Sequence, residues 1–430
     1  MLSLRKVTVN ILLILTLLLS AVGQAQLAFT ASAQISELVI SIRQDGSIDP
    51  STAPIQREGD VYTLTSDVNC NTIIIQRDNV VFDGANHTIE LFGAIGISER
   101  ENVTFKNAII KAGLGISLSG SNNKIIGNTF HINATNAIAV SYTGFTGTSA
   151  PSGNIISDNT IELKNGEDGV WVFKALDTVI SNNTIFTAES SSQVVSGIVV
   201  QSSHDTTVVG NSINVYATYG VAILKYLDAT PPQGEPLSGF VRENTIAGNY
   251  SYGVYSNCPN VDIVGNHITG EPQKNPQCYG IILREDSNDN IVSQNYIANN
   301  GYGICFQPFL NNVVSGSLRF SVFENSFVDN AVQAKINMSD CVIDWSKNHR
   351  GNYWSDYTGD DADNDGIGDT PHVIDSKNHD NYPLMAPFEA LPSPEPQPKD
   401  SFPAALIVAS VITVAVVGVG LLIYFKKRKR

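Results

Sequence analysis

The chain has 430 residues and a formal net charge of −15, with only 16% charged residues, while its 40 Asn nearly match its 41 Asp plus Glu. Low charge disfavours helical bundles and coiled coils, which solvate their faces with Glu, Lys and Arg; 42% hydrophobic residues exclude a disordered chain, and five Cys are too few for a disulfide scaffold. A pI near 4.8 argues against nucleic acid as a partner, because binding a phosphate backbone needs a basic footprint.

In chain order, Arg5 and Lys6 precede the apolar run Val7 to Val22, and Ala31 and Ala33 give a small-residue cleavage pattern, so residues 1–33 read as a secretory signal. Residues 34–60 form an N-terminal cap region. From 61 to 345 one phrase recurs: two apolar residues, two variable ones, an Asn, a small or polar residue, then Ile or Phe. The Asn falls at 86, 128, 159, 183, 211, 244, 266, 295 and 325, and Asn107 fits between the first two. A second phrase, Gly followed by Ile or Val, keeps step at Gly96, Gly115, Gly169, Gly197, Gly220, Gly253, Gly280 and Gly303.

Each repeat holds short runs of β-branched residues broken by turn formers, with no room for a helix. A unit this short cannot bury its own apolar face and must stack on its neighbours. The expected fold is therefore all-β, a parallel β-helix of about ten rungs at roughly 4.8 Å per rung. Asn at a fixed turn position predicts a ladder in which side-chain amides satisfy one another from rung to rung, and Asn also tolerates the left-handed backbone of a tight turn. Of the six glycosylation sequons, at Asn86, Asn102, Asn133, Asn182, Asn249 and Asn337, the first is expected to be unmodified because Asn86 is assigned to that ladder.

Residues 346–390 form an Asp-rich closing module, and 391–403, LPSPEPQPKDSFP, a Pro-rich extended stalk. Residues 404–425 carry no charge over a length sufficient for a transmembrane helix, and the basic tail 426–430 places the C-terminus in the cytoplasm. The chain then reads as a monomeric, single-pass surface protein whose partner is the membrane it is anchored in. Removing seven positive charges and no acids at the two ends takes the outer portion to −22.

Three features are candidates for function. Tyr219, Tyr252, Tyr279 and Tyr302 precede the repeat glycine in four rungs, and a lateral stack of rings is a platform for carbohydrate or another surface polymer. Strand alternation gives the other reading, since Tyr302, Ile304 and Phe306 share one parity and would all point into the core. Asp361, Asp363, Asp365, Ile367 and Asp369 match the odd positions of a calcium loop with Gly366 at the turn, but position 12 is His372, so the choice is a structural Ca²⁺ site or a solvated acidic turn. Soft-metal chemistry is poorly supplied, because the seven His are scattered and show no paired spacing. His349, His372 and His379 are the three that could converge. Cys258 and Cys278, in neighbouring rungs, are a candidate disulfide.

The repeat phrases resemble the β-helix repeats shared by carbohydrate-binding proteins and sugar hydrolases. The segment GNYWSDYTGDDADNDGIGDTPHVIDSKNHDNYPLM, Gly351 to Met385, resembles the module that closes the helix in NosD-like proteins. That resemblance implies a right-handed β-helix, secretion, and an accessory role in copper handling beside an ABC transporter. Copper does not transfer residue by residue, for want of ligands. A polysaccharide hydrolase or lyase is the remaining alternative. Asp158, Glu162, Asp168, Asp205, Asp262, Glu285 and Asp286 are outward acids, with Lys174, Lys225 and Arg284 as cations, yet no catalytic set stands out and none is assigned.

Overall fold

The computed structural model describes residues 38–141, 150–188, 194–225, 234, 236–308, 318–338 and 341–388. The expected signal segment, stalk, transmembrane helix and basic tail lie outside these residues. Among the described residues no helix is long and apolar enough to cross a membrane.

The alternation of three short strands and three turns coils the chain into three parallel faces. Face one runs from Val39–Ile42 to Val332–Ile336, face two from Val61–Leu64 to Cys341–Asp344, and face three from Val68–Cys70 to Tyr353–Trp354. Among the described residues two faces have thirteen strands and the third twelve. In each thirteen, one strand is an antiparallel partner near the N-terminal end, Ile48–Asp49 on face one and Ile55–Glu58 on face two. Twelve parallel coils remain, close to the ten expected from the period.

Pleating turns alternate residues inward, and successive coils stack like on like. Phe82 lies on Phe105 with ring centroids 4.8 Å apart, and Ile110, Phe130, Ile161, Ile185, Ile213, Ile246, Ile268, Ile297 and Phe327 form one buried file on face three. Full burial of each such side chain contributes about 1.5–3 kcal/mol, and no coil supplies that burial alone.

The Asn ladder occupies the turn between faces two and three. The backbone N–H and the Nδ2 of Asn128 both donate to Asn159 Oδ1, at 3.0 and 3.1 Å. The same pair of bonds repeats through Asn183, Asn211, Asn244, Asn266, Asn295, Asn325 and Asn352. Each Nδ2 also donates to a backbone carbonyl of the preceding coil, as Asn211 does to Ile180 at 2.9 Å.

Two expected members fall elsewhere. Asn107 holds the turn position before the ladder, where the backbone is left-handed (φ 54°), and Ala108 takes the ladder place in that coil. The left-handed residue is thus the ladder residue's predecessor, filled in later coils by Gly127, Asp158, Asn182, Gly210, Glu243, Gly265, Gln294 and Glu324. Asn86 is exposed and left-handed in a longer turn, so the ladder gives no shelter to its sequon. At the far end Asn352 joins the ladder, and the buried Asp380 closes it by accepting from Asn352 N–H, Trp354 Nε1 and Tyr382 N–H.

Cys258 and Cys278 are both free thiols, so they are not joined. Cys278 Sγ instead accepts from Gly301 N–H.

Asn211→Ala orphans the two donors of Asn183 and removes the bond to Ile180. At roughly 1–3 kcal/mol per buried unsatisfied group, it is expected to cost about 3 kcal/mol or more in urea denaturation. Asn86→Ala, on the exposed turn, is expected to cost about 1 kcal/mol, the penalty of a left-handed non-glycine.

Candidate functional site

The outer surface of face one is apolar where a solvated sheet face is ordinarily polar. Val199, Ala222, Tyr255, Ile282 and Cys305 form a buried cluster separate from the main core, with Trp171, Tyr219, Leu224, Tyr252 and Tyr279 packed against it. From Asp168–Phe173 onward the strands of this face lengthen to six to eight residues through Tyr302–Gln307, which gives it the width to carry parallel files of side chains.

Tyr219, Tyr252, Tyr279 and Tyr302 make one of these files. Their rings stack coil on coil with centroids 5.4, 5.5 and 4.7 Å apart. They are half-buried on the outside, not turned into the core. Parity fails at the following glycine: a Cβ on Gly220 would lie 2.6 Å from core Ile246 Cγ2 and 2.6 Å from Gly253 O, so Gly220 faces inward as Val221 also does. Two consecutive inward residues reverse the alternation, and the Tyr before them is carried outward. The repeat glycine is required because the backbone of the next coil fills the space of a side chain.

Tyr255 braces the file from beside it, edge-on to Tyr219 at 5.2 Å and to Tyr252 at 5.6 Å. Burial raises the phenol pKa of Tyr219, Tyr255 and Tyr279, keeping these hydroxyls neutral. The Arg284 guanidinium lies 5.6 Å from the Tyr255 ring centre and Lys335 Nζ 4.8 Å from that of Tyr302. At the other end Trp171 stacks on Phe173 at 5.5 Å.

Asp168 heads the tyrosine file: it pairs in register with Ser196, and Ser196 with Tyr219. Only 8% of Asp168 is exposed. Burial pushes its carboxyl up to about 6, the adjacent Ser196 hydroxyl lowers it somewhat, and the Glu167 charge adds to the rise. In the sequence Asp168 is one outward acid among several; its placement beside the repeat glycine is the signal that would have singled it out.

The acidic loop brings Asp361, Asp363 and Asp365 together, with one carboxylate oxygen of each within 4.8 Å of the others. Among the described residues this is the one group of three or more His, Cys, Asp or Glu side chains so placed. The neighbouring Asp365 charge holds Asp363 above the usual carboxylate range. Gly366, at φ 86°, turns the loop, and its N–H donates to Asp361 at 3.0 Å. Asp369 spends an oxygen on Ala362 N–H, and Ile367 bridges to Leu384. His372 stacks on Trp354 at 4.6 Å and His349 meets Tyr382 edge-on, so the three late histidines do not converge.

A family model described as right handed beta helix region matches residues 93–225, and one described as periplasmic copper-binding protein (NosD) matches 236–359. The chain is 30% identical over 136 residues to a probable ABC transporter binding protein NosD of Pseudomonas aeruginosa, and 30% over 133 residues to one of Stutzerimonas stutzeri. The chain is a NosD-like right-handed β-helix protein. These alignments cover 32% and 31% of the NosD-like chain and 28% and 27% of the relatives' own length. The NosD match stops at residue 359, before the acidic loop. Among solved structures, the A-module of mannuronan C-5 epimerase AlgE6 from Azotobacter vinelandii is similar at 16% identity and a TM-score of 0.47, covering 66% of the NosD-like chain and 80% of the module. A tailspike protein mutant of E. coli bacteriophage HK620 gives 12%, 0.44, 69% and 58%.

Because the Asp168 carboxyl is raised in the folded protein, the folded state holds its proton more tightly than the unfolded chain. Its contribution is complete below the unfolded value near 4 and is lost as pH rises toward about 6. Wild type is therefore expected to lose stability relative to Asp168→Asn between pH 4 and 6, with a constant difference above that window, as read from urea midpoints across pH.

Proposed function

We propose that this chain is an extracytoplasmic saccharide-binding protein that seats a polymer along the outer aromatic files of face one. The observation that carries the reading is the continuous stack of Tyr219, Tyr252, Tyr279 and Tyr302, half-exposed and braced by Tyr255. Stacked aromatic faces suit sugar rings, which present apolar C–H faces and a hydroxyl edge. An apolar strip on the outside of a solenoid that already has its own core needs a use of this kind. The resemblance of the chain to NosD-like proteins, whose family description is periplasmic, supports the extracytoplasmic placement. The uncharged run 404–425 with its basic flank supports attachment to a membrane.

Full-length protein in detergent is expected to be retained on an array of immobilised neutral and acidic polysaccharides. Tyr252→Ala combined with Tyr279→Ala is expected to weaken retention at least tenfold while the ladder keeps the coils folded. Absence of retention by wild type would overturn the reading.

Copper handling is the second reading, carried by the match to the NosD family, which is described as periplasmic and copper-binding. The described residues bring together carboxylates instead of thiolates or imidazoles, and oxygen donors favour hard cations. A Ca²⁺ site at Asp361, Asp363 and Asp365 accordingly fits the donor set better than copper. Ca²⁺ at a hundredfold excess over its Kd is expected to stabilise metal-free protein by about 2.7 kcal/mol, and Asp361→Asn to abolish the rise in Tm. Copper retained through purification, with no Ca²⁺ effect, would reverse the preference.

A further inference from the structure

The outside of face one carries charge unlike the rest of the chain. Acids outnumber Lys plus Arg by 41 to 26 in the whole sequence, yet the seven strands from Asp168–Phe173 to Val332–Ile336 hold three charged residues, Asp168, Arg284 and Lys335. Asp168 stands five coils before Tyr302 in register, about 24 Å away at ~4.8 Å per coil, whereas charges are screened over a Debye length of ~8 Å. The two cations stand together at the other end. Cys305 pairs with Ile282 on one side and Lys335 on the other, two residues from Gln307, the partner of Arg284, and both positive charges act on its thiol. Lys335 Nζ, 4.8 Å from the Tyr302 ring centre, caps the last ring of the file, while Arg284 lies against Tyr255 and donates to Pro308 O at 3.1 Å. Among the described residues neither makes an ion pair. In the turn after Arg284, Asp286 is paired with Lys225 at 3.4 Å, and Glu285, whose charge reaches Tyr255, offsets Arg284, so Lys335 is left as surplus positive charge. Tyr279, Tyr302, Arg284 and Lys335 are all partly exposed.

We propose that the polymer seated on the tyrosine file is an acidic saccharide, whose carboxylate or sulfate groups meet Lys335 and Arg284 beside Tyr279 and Tyr302. This rests on the saccharide reading above and names the ligand class. An ammonium has three donors and no acceptor, and an aromatic ring occupies one side of it. A carboxylate or sulfate accepts the remaining hydrogens and supplies the counter-charge, in the stronger charge-assisted form, whereas the hydroxyls of a neutral ring supply acceptors alone. The acidic remainder of the surface adds selectivity of place: it repels an anionic polymer elsewhere and leaves this end of the file as the favoured landing point.

Arg284 also holds Pro308 O, so Lys335 is the residue whose replacement separates binding from folding. The test compares wild type, Lys335→Gln and Lys335→Arg, each as the full chain in detergent. The probes are hexagalacturonate for carboxylate, a hexameric κ-carrageenan fragment for sulfate, and cellohexaose as the neutral control. Wild type is expected to bind at least one acidic hexamer at least tenfold more tightly than cellohexaose, with the preference shrinking as NaCl is raised to about 0.5 M. Lys335→Gln is expected to lose at least fivefold in acidic affinity and Lys335→Arg to keep it, both at the wild-type Tm. The acidic hexamer that binds more tightly identifies carboxylate or sulfate as the group received. Cellohexaose bound as tightly as the acidic hexamers, or acidic binding that Lys335→Gln leaves intact, would overturn the class and leave the tyrosine platform standing. Acidic binding that survives Tyr252→Ala combined with Tyr279→Ala would detach the cations from the file and overturn it too. A Tm lowered alike in both Lys335 variants would give that side chain a structural role in its place. Failure of both acidic hexamers to bind would also overturn the class, and together with no retention on the polysaccharide array would remove both readings.

Discussion

The Asn ladder is the constraint on which the rest of the structure depends. A tight turn between two buried strands would leave amide groups in an apolar interior, where each unpaired one costs roughly 1–3 kcal/mol. An Asn at that turn accepts two bonds from the coil before and sends two to the coil after, and so removes the problem at every coil. The fixed register that results lets Ile fall on Ile and Phe on Phe inside. Outside, it lets one residue type form a continuous file. The tyrosine stack is a by-product of that register before it is anything else.

Much of this was legible because the physics is periodic. A recurring Asn at spacings too short for a βαβ unit leaves few folds open, and the β-helix follows from stacking alone. The ladder's exact membership was less legible. Asn107 and Asn183 look alike in the sequence, yet one occupies the left-handed position of its turn and the other the ladder position beside it. A two-residue turn places different demands on its two sites, and Asn satisfies both, so residue type does not separate them.

The outer face was harder to read for a different reason. Alternation predicts direction only while the strand is regular, and the repeat glycine makes it irregular in register along six coils, from Gly169 to Gly303. The same glycine that marks the repeat is what turns the tyrosines outward. Asp168 was hidden among the other acids, because burial of an outward side chain depends on neighbouring coils distant in sequence, such as Ser196. What distinguishes it is its environment, which no local pattern records.

The ladder also has a direction. Every Oδ1 accepts from the earlier coil, while the backbone N–H and Nδ2 donate to the later one even as Nδ2 also reaches back to a carbonyl, so each coil offers hydrogens to a successor, and a stack ending in Asn would advertise that need to any passing chain. Asp380 removes the advertisement. A carboxylate accepts from Asn352, Trp354 and Tyr382 and offers no hydrogen onward, while Gly351, where a Cβ would sit 1.9 Å from Asp380 Oδ1, lets it come close enough to do so. One change of amide to acid thus ends the ladder, because the group that receives its last hydrogens is an acceptor and not another amide.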